Sequence, residues 1–270
     1  MGIARAKQRE LVKAHLPCIF CGGHELATTK EHCPPRSLFR GRNWPEGYEF
    51  PACETCNGGS SNSDLIVAFM ANMNPNANSE ESVKGANLMR RAHKQVPNLL
   101  PEMFAMSAVE SRAQARLLGM RPGPGQTYQS LGIANVTNEM QTAVESVAAK
   151  LTKAVYYMQT GSIFPRHGEI WFQWFTNAQL RQYGRIHILE AMATMAATSP
   201  ALQRNGKDLK DQFDYKYSRD DTGDLHVMQV VFGDVFGLAT IFSQVPGKLE
   251  KIEANIKSQL PHGASPFKYL

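Results

Sequence analysis

Cysteine is scarce in this chain, five residues among 270, and four of the five fall into two close pairs, Cys18/Cys21 and Cys53/Cys56. So few, so clustered, cannot cross-link a fold of this length, which excludes a disulfide scaffold and leaves metal binding in a reducing compartment as the use for the pairs. Long apolar runs are missing as well. The most apolar segment towards the C-terminus, "VVFGDVFGLATIF" (residues 230–242), is broken by Gly233 and Asp234, well short of the ~20 residues a membrane helix needs. No N-terminal stretch couples an apolar run to small cleavage-site residues. A cytoplasmic protein that does not contact membranes is expected. Internal repeats and low-complexity tracts are absent too, which argues against a solenoid or a disordered array.

Charge of one sign is only modestly in excess, +5 overall, but it is unevenly spread. Residues 84–153 carry nine Lys/Arg against four Asp/Glu, which accounts for the whole net excess. Arg90, Arg91 and Lys94, and Arg112 with Arg116 four residues on, would form a basic stripe on helices. Such a stripe suits a phosphate backbone, and it also suits a merely solvated face.

Helix signals are frequent. Residues 4–16, "ARAKQRELVKAHL", read as a short basic helix that Pro17 ends. "SDLIVAFMANM" (63–73) carries a start signal at Asp64 and an apolar face, which places Cys56 and Asn57 at or just before a helix N-terminus. A linker by composition, "NPNANSEES" (74–82), precedes two further helices near 80–96 and 107–119, with Pro97 and Pro101 between them and "RPGPG" after them. The clearest helix starts at Asn138, where Met140, Val144, Val147, Leu151, Val155 and Met158 recur at three- and four-residue steps until Gly161 can cap it. That stripe reads as core. "IWFQWF" (170–175), "FDYKYSR" (213–219), "LHVMQVVF" (225–232) and "VFGLATIFSQV" (235–245) read as strands, the last two joined at Gly233-Asp234. The expected fold class is α+β. It divides into an N-terminal unit over 1–75, a basic helical connector over 76–135, and over 136–270 a helix packed on an antiparallel β meander of unassigned role.

The two Cys-x-x-Cys pairs carry the strongest chemical signal. Each can form a tight knuckle that aims two thiolates at one ion, and the 31 residues between Cys21 and Cys53 leave room for an inserted hairpin. A structural Zn²⁺ held by Cys18, Cys21, Cys53 and Cys56 follows. A closed four-cysteine site has no open position for substrate, so the zinc would hold backbone that carries something else. Cys33 has no place in a tetrahedral site and reads as a small filler. His24, after "CGG", reads as a donor to a cysteine sulfur.

Between the pairs stands "KEHCPPRSLF" (30–39). The order Cys-x-x-Cys, Glu31-His32, Cys-x-x-Cys-Asn57 resembles the HNH (ββα-metal) endonucleases, most closely their zinc-stapled branch, which includes phage junction-resolving enzymes. Glu31-His32 stands where Asp-His is commoner, and "EHCPPRSLF" matches the EH-x-x-P continuation of a bacterial variant. The resemblance covers residues 18–64 and implies a ββα-metal nuclease domain there. It implies that His32 is the general base and that Glu31 and Asn57 are ligands of a catalytic Mg²⁺ or another divalent cation. Asp64 or Asn62 would take the third ligand position, where the family has His or Asn. The chemistry wants these types: histidine's ordinary pKa suits taking a proton from water near neutral pH, and Mg²⁺ takes oxygen ligands while keeping several waters. The alternative reading of Asn57 and of Asp64 is a helix N-cap. Lys30 and Arg36 would hold the scissile phosphate or its neighbour, with Arg40 and Arg42 as solvated loop charges.

The function expected is hydrolysis of phosphodiester bonds of nucleic acid, duplex DNA in the first place, one strand at a time and leaving 5′-phosphate and 3′-hydroxyl ends. A nuclease head on an unassigned module is similar in architecture to effectors of bacterial anti-phage defence, where the second module recognises substrate or a protein partner. The alternative is a non-catalytic, zinc-dependent nucleic-acid-binding or adaptor protein. It accommodates the basic middle segment and leaves Glu31, His32 and Asn57 without a role.

Overall fold

The computed structural model describes residues 14–73, 79–117, 119–131, 133–176, 197–252 and 268–269. Most of the basic helix anticipated at 4–16, and residues 74–78 of the linker, lie outside the described residues. Strands β1 (Thr29–His32) and β2 (Glu49–Ala52) form the inserted hairpin, antiparallel, with Glu31 opposite Phe50 and His32 opposite Glu49. The two-residue period of a strand turns Glu31 inward, where it is buried, and leaves Lys30 and His32 on the other face.

Two helices follow where one was expected. Cys53 occupies the N-cap position of α1 (Glu54–Gly58), a short helix that already contains Cys56 and Asn57, and Gly59 and Ser60 separate it from α2 (Ser61–Ala71). Asp64 therefore lies inside the first turn of α2 with Ser60 at the N-cap position, and neither Asn57 nor Asp64 is a cap. Leu65 through Met70 are all buried, which a helix sustains only when it is enclosed. The enclosure comes from α3 (Ser79–Gln95) and α6 (Asn138–Thr160), both packed on α2.

The connector is helical, and Pro97 and Pro101 do not keep its middle irregular. Helix α4 (Leu99–Met103) takes Pro101 in its first turn, where an N–H has no intrahelical partner to lose, and buries Leu99 and Met103. Beyond it lies α5 (Ala108–Leu117). In α6, Thr137 Oγ1 accepts the Met140 N–H at 3.2 Å, and Gly161 at φ 69° closes the C-terminus in the left-handed region. The apolar stripe is buried from Met140 to Val155. Met158 is not part of it: it is 39% exposed, and Tyr156 faces inward instead, its ring 5.2 Å from those of Phe164 and His226.

The anticipated strands are β3 (Glu169–Thr176), β6 (Asp214–Arg219), β7 (Leu225–Phe232) and β8 (Phe236–Ser243). They form an antiparallel sheet ordered β6-β7-β8-β3-β9, with β9 (Lys268–Tyr269) at its edge. The β7–β8 turn uses Gly233 at φ +55°, a conformation that glycine adopts without strain. Phe213, Tyr215 and Tyr217 are buried, so these aromatics are packing. A short hairpin, β4 (Gln203–Arg204) and β5 (Lys207–Asp208), precedes β6.

Residues of all three anticipated segments enter one buried cluster, among them Phe50, Leu65, Leu88, Met103, Val147 and Phe242. Polar contacts reinforce the junction: the Tyr48 hydroxyl donates to that of Tyr215 at 3.1 Å, and Arg40 is ion-paired with Asp211. Among the described residues no helix is long and apolar enough to cross a membrane.

Candidate functional site

The ligand atoms of Cys18, Cys21, Cys53 and Cys56 all lie within 4.8 Å of one another. Backbone bonds shape the first knuckle. The Cys18 N–H donates to the Glu25 carbonyl at 2.8 Å, the Gly23 N–H to the Cys18 carbonyl at 2.9 Å, and the Glu25 N–H to Cys21 Sγ at 3.4 Å. Gly22 has φ +69°, and a Cβ there would stand 2.5 Å from Arg166 Cγ, so the loop needs glycine. The second pair is set by the first turn of α1. Burial, then hydrogen bonding to the neighbouring thiols, pushes Cys56 well up from the ordinary thiol range. Four thiolates at this spacing repel one another unless a cation binds them, and an all-sulfur set of four suits Zn²⁺. Lys153 of α6 donates to the Phe20 carbonyl at 2.8 Å and interacts electrostatically with Cys56, Cys21 and Cys18, a positive charge suited to the doubly negative centre that four thiolates and one Zn²⁺ make. His24 is not the sulfur donor anticipated. It is exposed, with Nδ1 3.1 Å from Glu25 Oε1, and the backbone of Glu25 supplies the bond to sulfur. Cys33 is buried outside the group, and burial pushes its thiol well up.

Glu31 and His32 have different partners because they leave β1 on opposite faces. The Glu31 carboxylate accepts a hydrogen bond from Lys150 Nζ, which also donates to Ser60 Oγ. Burial pushes the Glu31 carboxyl up to about 7, against the pull of Lys150. His32 Nε2 lies 3.4 Å from Glu49 Oε1, and its ring stands edge-on to Trp44 with centroids 4.5 Å apart. Burial and then Arg36 lower the imidazole from its ordinary value while Glu49 pulls the other way, and the net shift favours the neutral ring. Asn57 Nδ2 donates to Thr29 Oγ1 at 2.9 Å and to the Lys30 carbonyl at 3.4 Å, tying α1 to β1. Asp64 Oδ2 accepts from Ser60 at 3.3 Å, whereas Oδ1 is buried with no hydrogen-bond partner, and burial pushes this carboxyl up as well.

Glu31, His32, Asn57 and Asp64 line one cleft of about 530 Å³. Two desolvated carboxyls, one with an unpartnered oxygen, beside a side-chain amide are a donor set that a hard divalent cation suits. The ammonium of Lys150 already touches one of them.

The basic residues are dispersed. Arg36 and Arg91 line the cleft, and Lys30 lies outside its lining, 3.8 Å from Glu49. Arg90 and Lys94 are exposed on α3, with Arg90 donating to Asn87. Arg112 and Arg116 are exposed on α5, with Arg112 5.6 Å from the ring centroid of Tyr128. Arg40, expected as a solvated loop charge, instead pairs with Asp211 and lies 3.8 Å from Glu81.

Lys150, Ser60, Glu49, Trp44 and Arg204 have no role in the sequence reading. For two of them a signal existed. Lys150 stands three residues after Val147 and four before Ala154, on the buried stripe of α6, and a lysine placed there needs a partner. Glu49 is the residue that hairpin register sets opposite His32. No protein-family model, no curated protein and no solved structure matches the chain.

Proposed function

We propose that the protein is a metal-dependent, HNH-type endonuclease that hydrolyses phosphodiester bonds of DNA. The observation that supports this best is the convergence of Glu31, His32, Asn57 and Asp64 on one cleft beside a four-cysteine group suited to zinc. In this reading Glu31, Asp64 and the side-chain carbonyl of Asn57 hold Mg²⁺ or a similar ion. When bound, that ion supplies positive charge for the phosphate and the leaving oxygen. His32 accepts the proton of the attacking water, and with Nε2 directed at Glu49 the accepting atom is Nδ1. Glu49 then stabilises the imidazolium as it forms. The bond from phosphorus to the 3′ oxygen breaks, that oxygen takes up a proton, and 5′-phosphate and 3′-hydroxyl ends result. Arg36 and Arg91 hold phosphates in the cleft, Lys30 lies beside it, and Arg90, Lys94, Arg112 and Arg116 attract the duplex backbone. As an effector of bacterial anti-phage defence, such an enzyme would meet a protein partner through its C-terminal half.

The test is cleavage of supercoiled plasmid, linear duplex and RNA by the purified protein, with Mg²⁺ and with Mg²⁺ omitted. Mg²⁺-dependent cleavage of DNA supports the reading, and zinc-loaded protein that cuts none of the three refutes it. One observation favours a second reading. Because Lys150 already provides a cation to Glu31, the same residues suit a non-catalytic, zinc-dependent nucleic-acid-binding or adaptor protein, which would bind DNA and leave it intact.

A further inference from the structure

Trp44, on the loop between β1 and β2, has two guanidinium groups against its indole. Arg36 Cζ lies 4.5 Å and Arg204 Cζ 3.9 Å from the ring centroid. Arg36 belongs to the turn that follows β1, whereas Arg204 arrives from the β4–β5 hairpin of the C-terminal half. Three hydrogen bonds fasten that hairpin to the loop: Glu46 N–H to the Gln203 carbonyl at 3.0 Å, Asn205 N–H to the Glu46 carboxylate at 2.9 Å, and Arg204 Nη1 to the Trp44 carbonyl at 3.1 Å. Arg204 is thus held in place by its own loop contact and by the ring beneath it.

The charge in this corner is not balanced. Arg42 and Arg204 both act on Arg36 electrostatically, and Glu49 is the acidic group that opposes them. Among the described residues, neither Arg36, Arg42 nor Arg204 has a carboxylate within 4 Å. Arg36 Nε is buried and has no hydrogen-bond partner. Gathering like charges and burying an unused donor both oppose folding, and an anion bound among them offsets both. Guanidinium forks stacked on a ring keep their edges free, and those edges match phosphate oxygens two at a time.

We propose that Arg204, together with Arg36 and Arg42 around Trp44, forms a phosphate-binding subsite for a nucleic-acid strand that runs from the cleft across the β4–β5 hairpin. Arg36 and Arg42 line the cleft, and Arg204 lies outside that lining, so a ligand touching all three extends past the wall of the cleft towards the β4–β5 hairpin. A nucleic-acid backbone, which presents a phosphate at each nucleotide, can occupy the cleft and reach Arg204 at the same time, and the phosphate arm of the experiment separates it from a lone anion. The C-terminal half then takes part directly in substrate binding. The subsite rests on the nucleic-acid reading of the cleft and is independent of whether the strand is cut.

The experiment is fluorescence anisotropy of a labelled DNA duplex with Mg²⁺ omitted, across a salt series, for wild type, Arg204→Gln, Arg204→Lys and the control Lys216→Gln, an exposed lysine on β6 and not on the hairpin. Arg204→Gln is expected to weaken binding roughly tenfold near physiological salt and to lower the log–log salt slope by about one unit. Arg204→Lys, which remains informative if the glutamine variant does not fold, should keep the wild-type slope and bind somewhat more weakly, because lysine has no fork. Lys216→Gln should match wild type. Unchanged affinity and slope in Arg204→Gln, even with a lowered melting temperature, would make Arg204 a hairpin fastener and overturn the subsite. So would inorganic phosphate stabilising wild type but not Arg204→Gln while duplex binding stays the same, since the ligand would then be free phosphate. Arg204-dependent binding without Mg²⁺-dependent cleavage would leave the subsite standing and refute the nuclease.

Discussion

Lys150 of α6 and Glu31 of β1, 119 positions apart in the chain, form a buried ion pair next to the cleft, with Ser60 as the second acceptor for the same ammonium. The pair joins the helix of the C-terminal half to the strand that carries His32. It also places a fixed positive charge beside two carboxyls, Glu31 and Asp64, that burial disfavours in their ionised form.

Lys150→Met is therefore expected to destabilise the protein by about 1–3 kcal/mol, because Glu31 and Ser60 lose their buried donor and the carboxyl must take up a proton or stay unpaired. Glu31→Gln in the same chain should restore part of that stability. A double-mutant cycle read by urea denaturation checks this, and strictly additive effects would contradict the coupling.

The four-cysteine group, which could hold zinc, makes a different demand. Cys18→Ser or Cys53→Ser should lower zinc content and open the first ~65 residues to protease, since the binding free energy of a structural zinc is folding free energy. Full zinc occupancy with wild-type protease resistance in both variants would refute a four-cysteine site.

Glu49 raises the proton affinity of His32, whereas burial, Arg36 and Arg204 lower it. A base works when deprotonated, so with Mg²⁺ saturating, which would hold Glu31 ionised against its raised pKa, the acid limb set by His32 should lie below histidine's ordinary 6.5 in wild type. Removing Glu49's upward pull in Glu49→Gln should move that limb to still lower pH and reduce the plateau rate. Initial rates between pH 5 and 8 test this, and a limb that moves to higher pH would show that Glu49 does not act on His32.

On α3, Arg90, Arg91 and Lys94 are exposed, and Arg91 also lines the cleft. Replacing all three by Ala should reduce the salt dependence of duplex binding by roughly one unit of log–log slope for each phosphate that the variant no longer neutralises. An unchanged slope would leave the face merely solvated and shift backbone binding to the cleft and its Arg204 extension.

Much of the fold was legible because it is written in local patterns. The stripe from Met140 to Val155, the left-handed cap at Gly161 and the turn at Gly233 each follow from a few neighbouring residues. The two cysteine pairs were legible for the same reason, their spacing being the signal. Illegible were contacts made by residues distant in sequence: Lys150 on Glu31, Arg204 on Trp44, Arg40 on Asp211. No local pattern encodes those, since each depends on how the α6 and hairpin segments pack on the N-terminal strands. The break at Gly59 and Ser60, which gives Asn57 a helix of its own and frees Asp64 from a capping role, was hidden by the uniformly apolar run after it.

The most direct measurement compares wild type and His32→Ala, both zinc-loaded, for nicking of supercoiled plasmid with and without Mg²⁺. Expected is nicking by wild type only when Mg²⁺ is present, and a rate at least ~100-fold lower in His32→Ala at unchanged zinc content. Intact plasmid with fully folded wild type, or undiminished nicking by His32→Ala, would contradict the assignment of this cleft as a nuclease centre with His32 as its base.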